Sequence, residues 1–184
     1  MRIKPLLVKT TAGVMLIFSA IAVFAALPED ATETNWQSAS HAPSKLLDQV
    51  VSDNLPSDLS IDATQMQVWE IQLAGQPAPL YLIDTRVADN AEDPAGNPLC
   101  GALGCAFFGY VLTDGNYEKV LDAYFKPELP PEVPLFELAE ALQNDLPVLK
   151  VNQLEGDQIQ QFTLVFNNGQ YENVEIQTLP QRYE

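Results

Sequence analysis

Two dipeptides, Asp114-Gly115 and Asn168-Gly169, restrict this chain more than any other feature. Each is of the kind that reverses a β-hairpin in two residues, because Asp, Asn and Gly tolerate the positive φ that such a turn demands. Strand-like segments flank both: "AFFGYVL" and "YEKVLDAYF" around the first, "QFTLVF" and "QYENVEIQ" around the second. Phe162, Leu164 and Phe166 recur at every second position, so one face of their strand belongs to a core. "MQVWEIQLA" and "PLYLIDTRV", separated by "GQP", read as another hairpin. There Trp69 and Ile71 lie on one parity and Met66 and Val68 on the other, which predicts a bulge or a strand start near Trp69. "LPVLKVNQL" adds one more strand.

Two helices accompany these strands. "PSKLLDQVVSDN" puts Leu46, Leu47, Val50 and Val51 on one face, with Pro43 suited to the first turn and Asn54 to the stop. Such a short helix persists only when packed on something. Four prolines between Pro127 and Pro134 favour an extended crossing. After them Leu135, Leu138, Ala139 and Leu142 follow the i, i+3, i+4, i+7 rule, which predicts a second short helix before Pro147. The expected fold is α+β: an antiparallel meander of about seven strands with two short helices, in a single domain over residues 44–180.

The N-terminus has a different character. Arg2, Lys4 and Lys9 precede 18 uncharged residues, Thr10 to Leu27, with an apolar centre. That is the layout of an export signal, and Val23 and Ala25 offer the small side chains for cleavage after Ala25. The alternative is an uncleaved anchor, since 18 residues reach the lower edge of the roughly 17–25 that cross a bilayer. A membrane contact is expected only in that second case. Residues 26–43 read as a polar linker from this segment to the folded body. The destination is an extracytoplasmic space, whether periplasmic, lumenal or extracellular.

Cleavage would remove three of the nine basic residues and none of the 25 acidic ones, taking the formal net charge from −16 to −19. Nucleic acid is excluded as a partner by that balance, because phosphate binding needs clustered Lys and Arg. The charge permits a cationic protein partner, a divalent ion, or nothing beyond solubility.

Both cysteines fall in "CGALGC". As metal ligands, Cys100 and Cys105 would supply half a zinc shell, and the one histidine, His41, lies far away in sequence. As a redox couple they lack the C-x-x-C spacing and a basic neighbour. A disulfide staple fits better: exported thiols meet an oxidising space, and Gly101 and Gly104 relieve the backbone of a tight turn. A ring this small constrains the unfolded chain by only about 2 kcal/mol, so its effect is local.

Catalysis has little to work with. No serine follows Ser60 and no histidine follows His41, which removes Ser-His and Cys-His constellations from the body. Phosphate-loop, dinucleotide and zinc-protease motifs are lacking too. A carboxylate-pair hydrolase is what remains for an enzyme. No resident cofactor is expected, although Asp89, Glu92 and Asp93 group oxygen donors of the type calcium favours, interrupted by Pro94 and without EF-hand spacing. The candidate partner-binding residues are Phe108, Tyr110 and Tyr124 on the aromatic hairpin, together with Arg86, whose other reading is an ion pair with Asp84 or Asp122. Phe107 and Phe108 are consecutive in a strand and must point to opposite faces.

"CGALGC", "AFFGYVLTDGNYEKVL" and "FTLVFNNGQYENV", over about the last 85 residues, resemble a pattern in uncharacterised exported bacterial proteins, a likeness that implies export and carries over no particular activity. The helix "SKLLDQVVSDN" ahead of "VWEIQLAGQPAPLYLID" is similar to the helix-then-hairpin layout of PepSY-type modules, which implies the holding or inhibition of an extracytoplasmic partner. The leading expectation is an exported, non-catalytic interaction module for a protein partner, cationic in one version. A calcium-binding structural envelope protein and a carboxylate-pair hydrolase are the alternatives.

Overall fold

Asp114 and Gly115 take φ of 50° and 82°, and Asn168 and Gly169 take 50° and 90°. Both pairs thus close tight hairpins, joining β5 (Gly104–Thr113) to β6 (Asn116–Phe125) and β9 (Gln158–Asn167) to β10 (Gln170–Leu179). Two further turns obey the same chemistry. Asn144 and Asp145, at φ 49° and 70°, join β7 (Phe136–Gln143) to β8 (Leu146–Glu155), and Gly156 at φ 64° begins the turn from β8 to β9.

The computed structural model describes residues 35–59, 61–86 and 97–180, which fall within one unit, Thr32–Glu184. The predicted N-terminal export segment lies outside the described residues. Among those described, no helix is long and apolar enough to cross a membrane.

Among the described residues ten strands, all antiparallel, form two sheets. In the first, the order is β1 (Gln37–Ser38), β2 (Gln67–Ile71), β3 (Leu80–Asp84) and β5, with β4 (Cys100–Gly101) and β6 each pairing with β5. The second is a plain meander, β10-β9-β8-β7. One α-helix, α1 (Ser44–Asn54), begins directly after Pro43 and buries Leu46, Leu47 and Val50.

The first sheet is the middle layer. On one side Val68, Tyr81, Ile83, Phe108 and Tyr110 pack with α1. On the other, Trp69, Leu80, Leu82 and Phe107 pack against Phe136, Leu149, Val151 and Leu164 of the second sheet. Phe107 and Phe108 therefore part as alternation requires. Double-sided burial also explains Val68 and Trp69, adjacent and both buried: β2 starts at Gln67, and its register with β3 runs without a bulge.

Three expectations are corrected. Residues 135–142 are not a helix, because Phe136–Gln143 is β7. The last part of the supposed linker, residues 36–43, belongs to the body: Gln37 and Ser38 pair with β2, and Trp36 packs edge-on against Trp69, Phe107 and Phe136 at centroid distances of 5.9, 6.3 and 6.1 Å. The strands among the described residues number ten and occupy two layers, where about seven in one meander are expected.

Polar pins fix the layers in register. At the C-terminal end of α1, Asn54 donates to the Tyr110 hydroxyl at 2.9 Å and accepts from Lys119 at 2.8 Å. Across the outer face of the second sheet runs an amide ladder: Asn152 donates to Glu137 at 2.6 Å, Gln161 to Asn152 at 3.1 Å, and Gln177 to Gln161 at 2.6 Å. Asn152 and Gln161 are buried, so the ladder stabilises only while complete. Asn152→Ala is expected to cost about 2–3 kcal/mol by leaving the Pro134 carbonyl without its side-chain donor and Gln161 with only its longer bond to Glu137 on the donor side, read as a lower urea midpoint with unchanged slope. A cost under about 0.5 kcal/mol would mean that water replaces these bonds freely.

Candidate functional site

The disulfide Cys100–Cys105 joins directly opposed residues of β4 and β5, with Cα atoms 3.9 Å apart. Its four-residue turn is seated on the end of β6. Gly104, at φ 106°, lies so close that a Cβ there would stand 2.2 Å from the Phe125 carbonyl oxygen. Only glycine meets both the dihedral and the contact. The turn in consequence projects Leu103, 73% exposed, beside the last residues of β6.

From Leu103 a groove of 460 Å³ runs between the β6 end of the first sheet and the inner face of the second. Its apolar wall comes from Leu121 and Phe125 on β6 and from Phe162 and Leu164 on β9, with Tyr124 and Leu154 at the rim. Gln153 ties the walls together. Its side chain accepts from the Lys126 backbone N–H at 2.9 Å and donates to the Lys126 carbonyl at 3.1 Å, joining the chain just after β6 to β8. Asp122, Lys126 and Glu155 supply the charges. Asp122 is engaged by Lys119 at 2.6 Å.

Tyr171 lines the groove and donates its hydroxyl to the Pro147 carbonyl at 2.7 Å. Burial pushes its phenol above the usual value of 10, and does the same to Tyr110, where the Asp53 charge adds to the shift. Tyr81 is raised to about 12 by burial and then by Glu70, and Tyr117 is raised by the same causes. The folded state thus favours the neutral phenols. Their contribution to stability is fully present below the unfolded tyrosine value of about 10 and is lost as pH rises toward the folded values. Alkaline titration is expected to show destabilisation beginning near pH 10, with much of the phenolate absorbance appearing in the unfolding transition. A smooth titration of every tyrosine near pH 10 with the fold intact would contradict this burial.

Comparison with protein-family models, curated proteins and solved structures finds no match to this chain.

The sequence candidates scatter. Phe108 is 2% exposed and Tyr110 is fully buried, both under α1, so neither has surface to offer a partner. This corrects the expected aromatic face, and the reason is that α1 covers that side of the sheet. Tyr124, 49% exposed, does reach the groove. Arg86 forms the ion pair of its plainer reading: its Nε donates to both carboxylate oxygens of buried Asp84, at 2.9 and 2.8 Å, while the guanidinium sits over Phe107. Asp89, Glu92 and Asp93 lie outside the described residues. Among the described residues, no three His, Cys, Asp or Glu side chains gather as a metal site.

Leu103, Gln153, Leu154 and Tyr171 were not legible as site residues. Leu103 carried a signal, an apolar residue at the tip of a glycine-flanked cystine turn, where solvent exposure is the default. Gln153 carried none.

Proposed function

We propose that this chain is an exported, non-catalytic interaction module that holds a protein partner in the groove between its sheets. One observation carries the reading. Of the seven exposed large apolar side chains among the described residues, Leu103, Tyr124 and Leu154 gather at this groove. An apolar cluster at a concave surface is what a contact site requires, whereas scattered exposure is ordinary. The disulfide supports delivery to an oxidising space, periplasmic, lumenal or extracellular, where such a bond persists.

Peptide-display selection on the full chain with its disulfide intact tests the reading. Selected peptides are expected to weaken by about tenfold or more on Tyr124→Asp and on Leu154→Asp, since burying a charge beneath a bound peptide is costly. Leu112→Asp, exposed on β5 and absent from the groove lining, should leave binding unchanged. Peptides that bind all three variants equally would overturn the assignment of this groove.

A further inference from the structure

We infer that the partner enters the groove as an extended strand added to the free edge of β6, with apolar side chains on the groove wall and cationic ones beside Glu155. This rests on the groove being the binding site and names the mode and chemistry of binding.

The edge comes first. Among the described residues β6 pairs with β5 alone and is a terminal strand of its sheet. From Leu121 to Phe125 its register with β5 is continuous, and that same stretch lines the groove. A terminal strand offers a row of unpaired N–H and C=O groups, which proteins usually blunt with Lys, Pro or a bulge. "LDAYF" has no Lys or Pro, and the irregularity in β6 lies before Leu121.

The other edges offer less. Among the described residues, β7 has a register shift between Leu138 and Leu142, β1 and β4 span two residues each, and β10, shifted between Asn173 and Glu175, has its continuous run Glu175–Leu179 outside the groove lining. The β6 edge joins a continuous run of five residues to an apolar concavity.

The protein already uses this mode of contact once. The Gln153 amide pairs with both backbone groups of Lys126, as a neighbouring strand does. That bond closes one end of the edge and leaves the stretch before it open. Chemistry then selects the occupant. A strand placed there would set alternate side chains toward Phe162, Leu164 and Leu103. Charge complementarity calls for Lys or Arg on such a partner, because Glu155 stands outside the two ion pairs found among the described residues and the chain as a whole carries a formal charge of −16.

The test uses the full chain and a synthetic peptide of alternating Lys and Leu, about eight residues long, enough to span the edge at ~3.3 Å per residue. Two versions carry backbone N-methyl groups, one on every Leu and one on every Lys; a third replaces Lys by Glu. A strand edge uses peptide donors of one parity only, so one methylated peptide should lose binding by about tenfold or more while the other keeps it. The Glu peptide should not bind, and hydrogen exchange should slow within Asp122–Phe125. Tyr124→Asp, half-exposed in the native fold and checked by its melting curve, should abolish binding.

Several results would overturn the inference. If both methylated peptides bind like the parent while Tyr124→Asp abolishes binding, strand addition falls and the groove stands. If the parity effect survives Tyr124→Asp, the peptide has added elsewhere and the inference falls. Equal binding of the Glu peptide removes the cationic partner. Should display-selected peptides bind while the Lys-Leu peptide does not, the inference falls alone; if none binds, the groove reading falls with it.

Discussion

Phe107→Ala is expected to destabilise the folded chain by about 3–5 kcal/mol, the largest loss from any single truncation in this core. Phe107 is 1% exposed and lies where the two sheets meet. Its ring stands 5.4 Å from Phe136, 5.8 Å from Phe125 and 6.3 Å from Trp36, so β7, β6 and the segment just before β1 lean on one side chain. Truncation removes the transfer energy of the ring and leaves a cavity that β-sheet backbones cannot collapse to fill. The aromatic contacts, edge-to-face with Trp36 and tilted with Phe125 and Phe136, add about 0.5–1.5 kcal/mol each beyond area. Arg86 also loses the ring beneath its guanidinium. Urea unfolding followed by tryptophan fluorescence reads the effect directly, because Trp36 and Trp69 report from the same cluster. A loss below about 1 kcal/mol would mean that the two sheets do not share this core.

Gly104→Ala is the second large effect, and its cause is backbone geometry. At φ 106° an L side chain is strained, and the added methyl would meet the carbonyl oxygen, the carbonyl carbon and the next amide nitrogen at 2.2, 2.5 and 2.9 Å, all belonging to Phe125 and Lys126. Backbone atoms in a strand cannot swing aside. Either the cystine turn lifts off β6 or the end of β6 moves, and the expected cost is about 2–4 kcal/mol. Gly101→Ala serves as the control, since a Cβ there meets nothing within 4 Å. Because Leu103 rides on the same turn, Gly104→Ala should also weaken groove ligands, with the disulfide still closed by intact mass. Equal stability of the two alanine variants would show that the turn is not seated on β6.

The hairpins were legible because their cause is local. Asp114-Gly115 and Asn168-Gly169 adopt positive φ at low cost, and any fold containing them must reverse there. Asn144-Asp145 does the same work between β7 and β8, yet the helical spacing of Leu138 and Leu142 masks it. The register supplies the reason. Leu138 pairs with Leu149 and Leu142 with Pro147, so four residues on β7 answer two on β8. An irregularity of that size returns two leucines, four apart, to the same partner strand, and in sequence this imitates a helix turn.

The cystine was legible for the same local reason, and the ion pair of Arg86 with Asp84 nearly so. Burial was not. Alternation assigns Phe108 and Tyr110 to one face of β5, but it cannot say whether that face meets water or α1. The groove was wholly hidden, since its walls come from the cystine turn, β6, β8, β9 and β10.

What the residues determined by themselves were the reversals, the staple and the acidic balance, each set by dihedral preference, thiol chemistry or charge within a few positions. Tertiary structure alone decided that one sheet is covered on both faces, that Tyr124 is left at the surface while Phe108 and Tyr110 are not, and that the β6 edge lies open beside an apolar wall. Those outcomes depend on which layers meet, and layer contact is a sum of weak interactions between segments far apart in the chain, which no short stretch encodes.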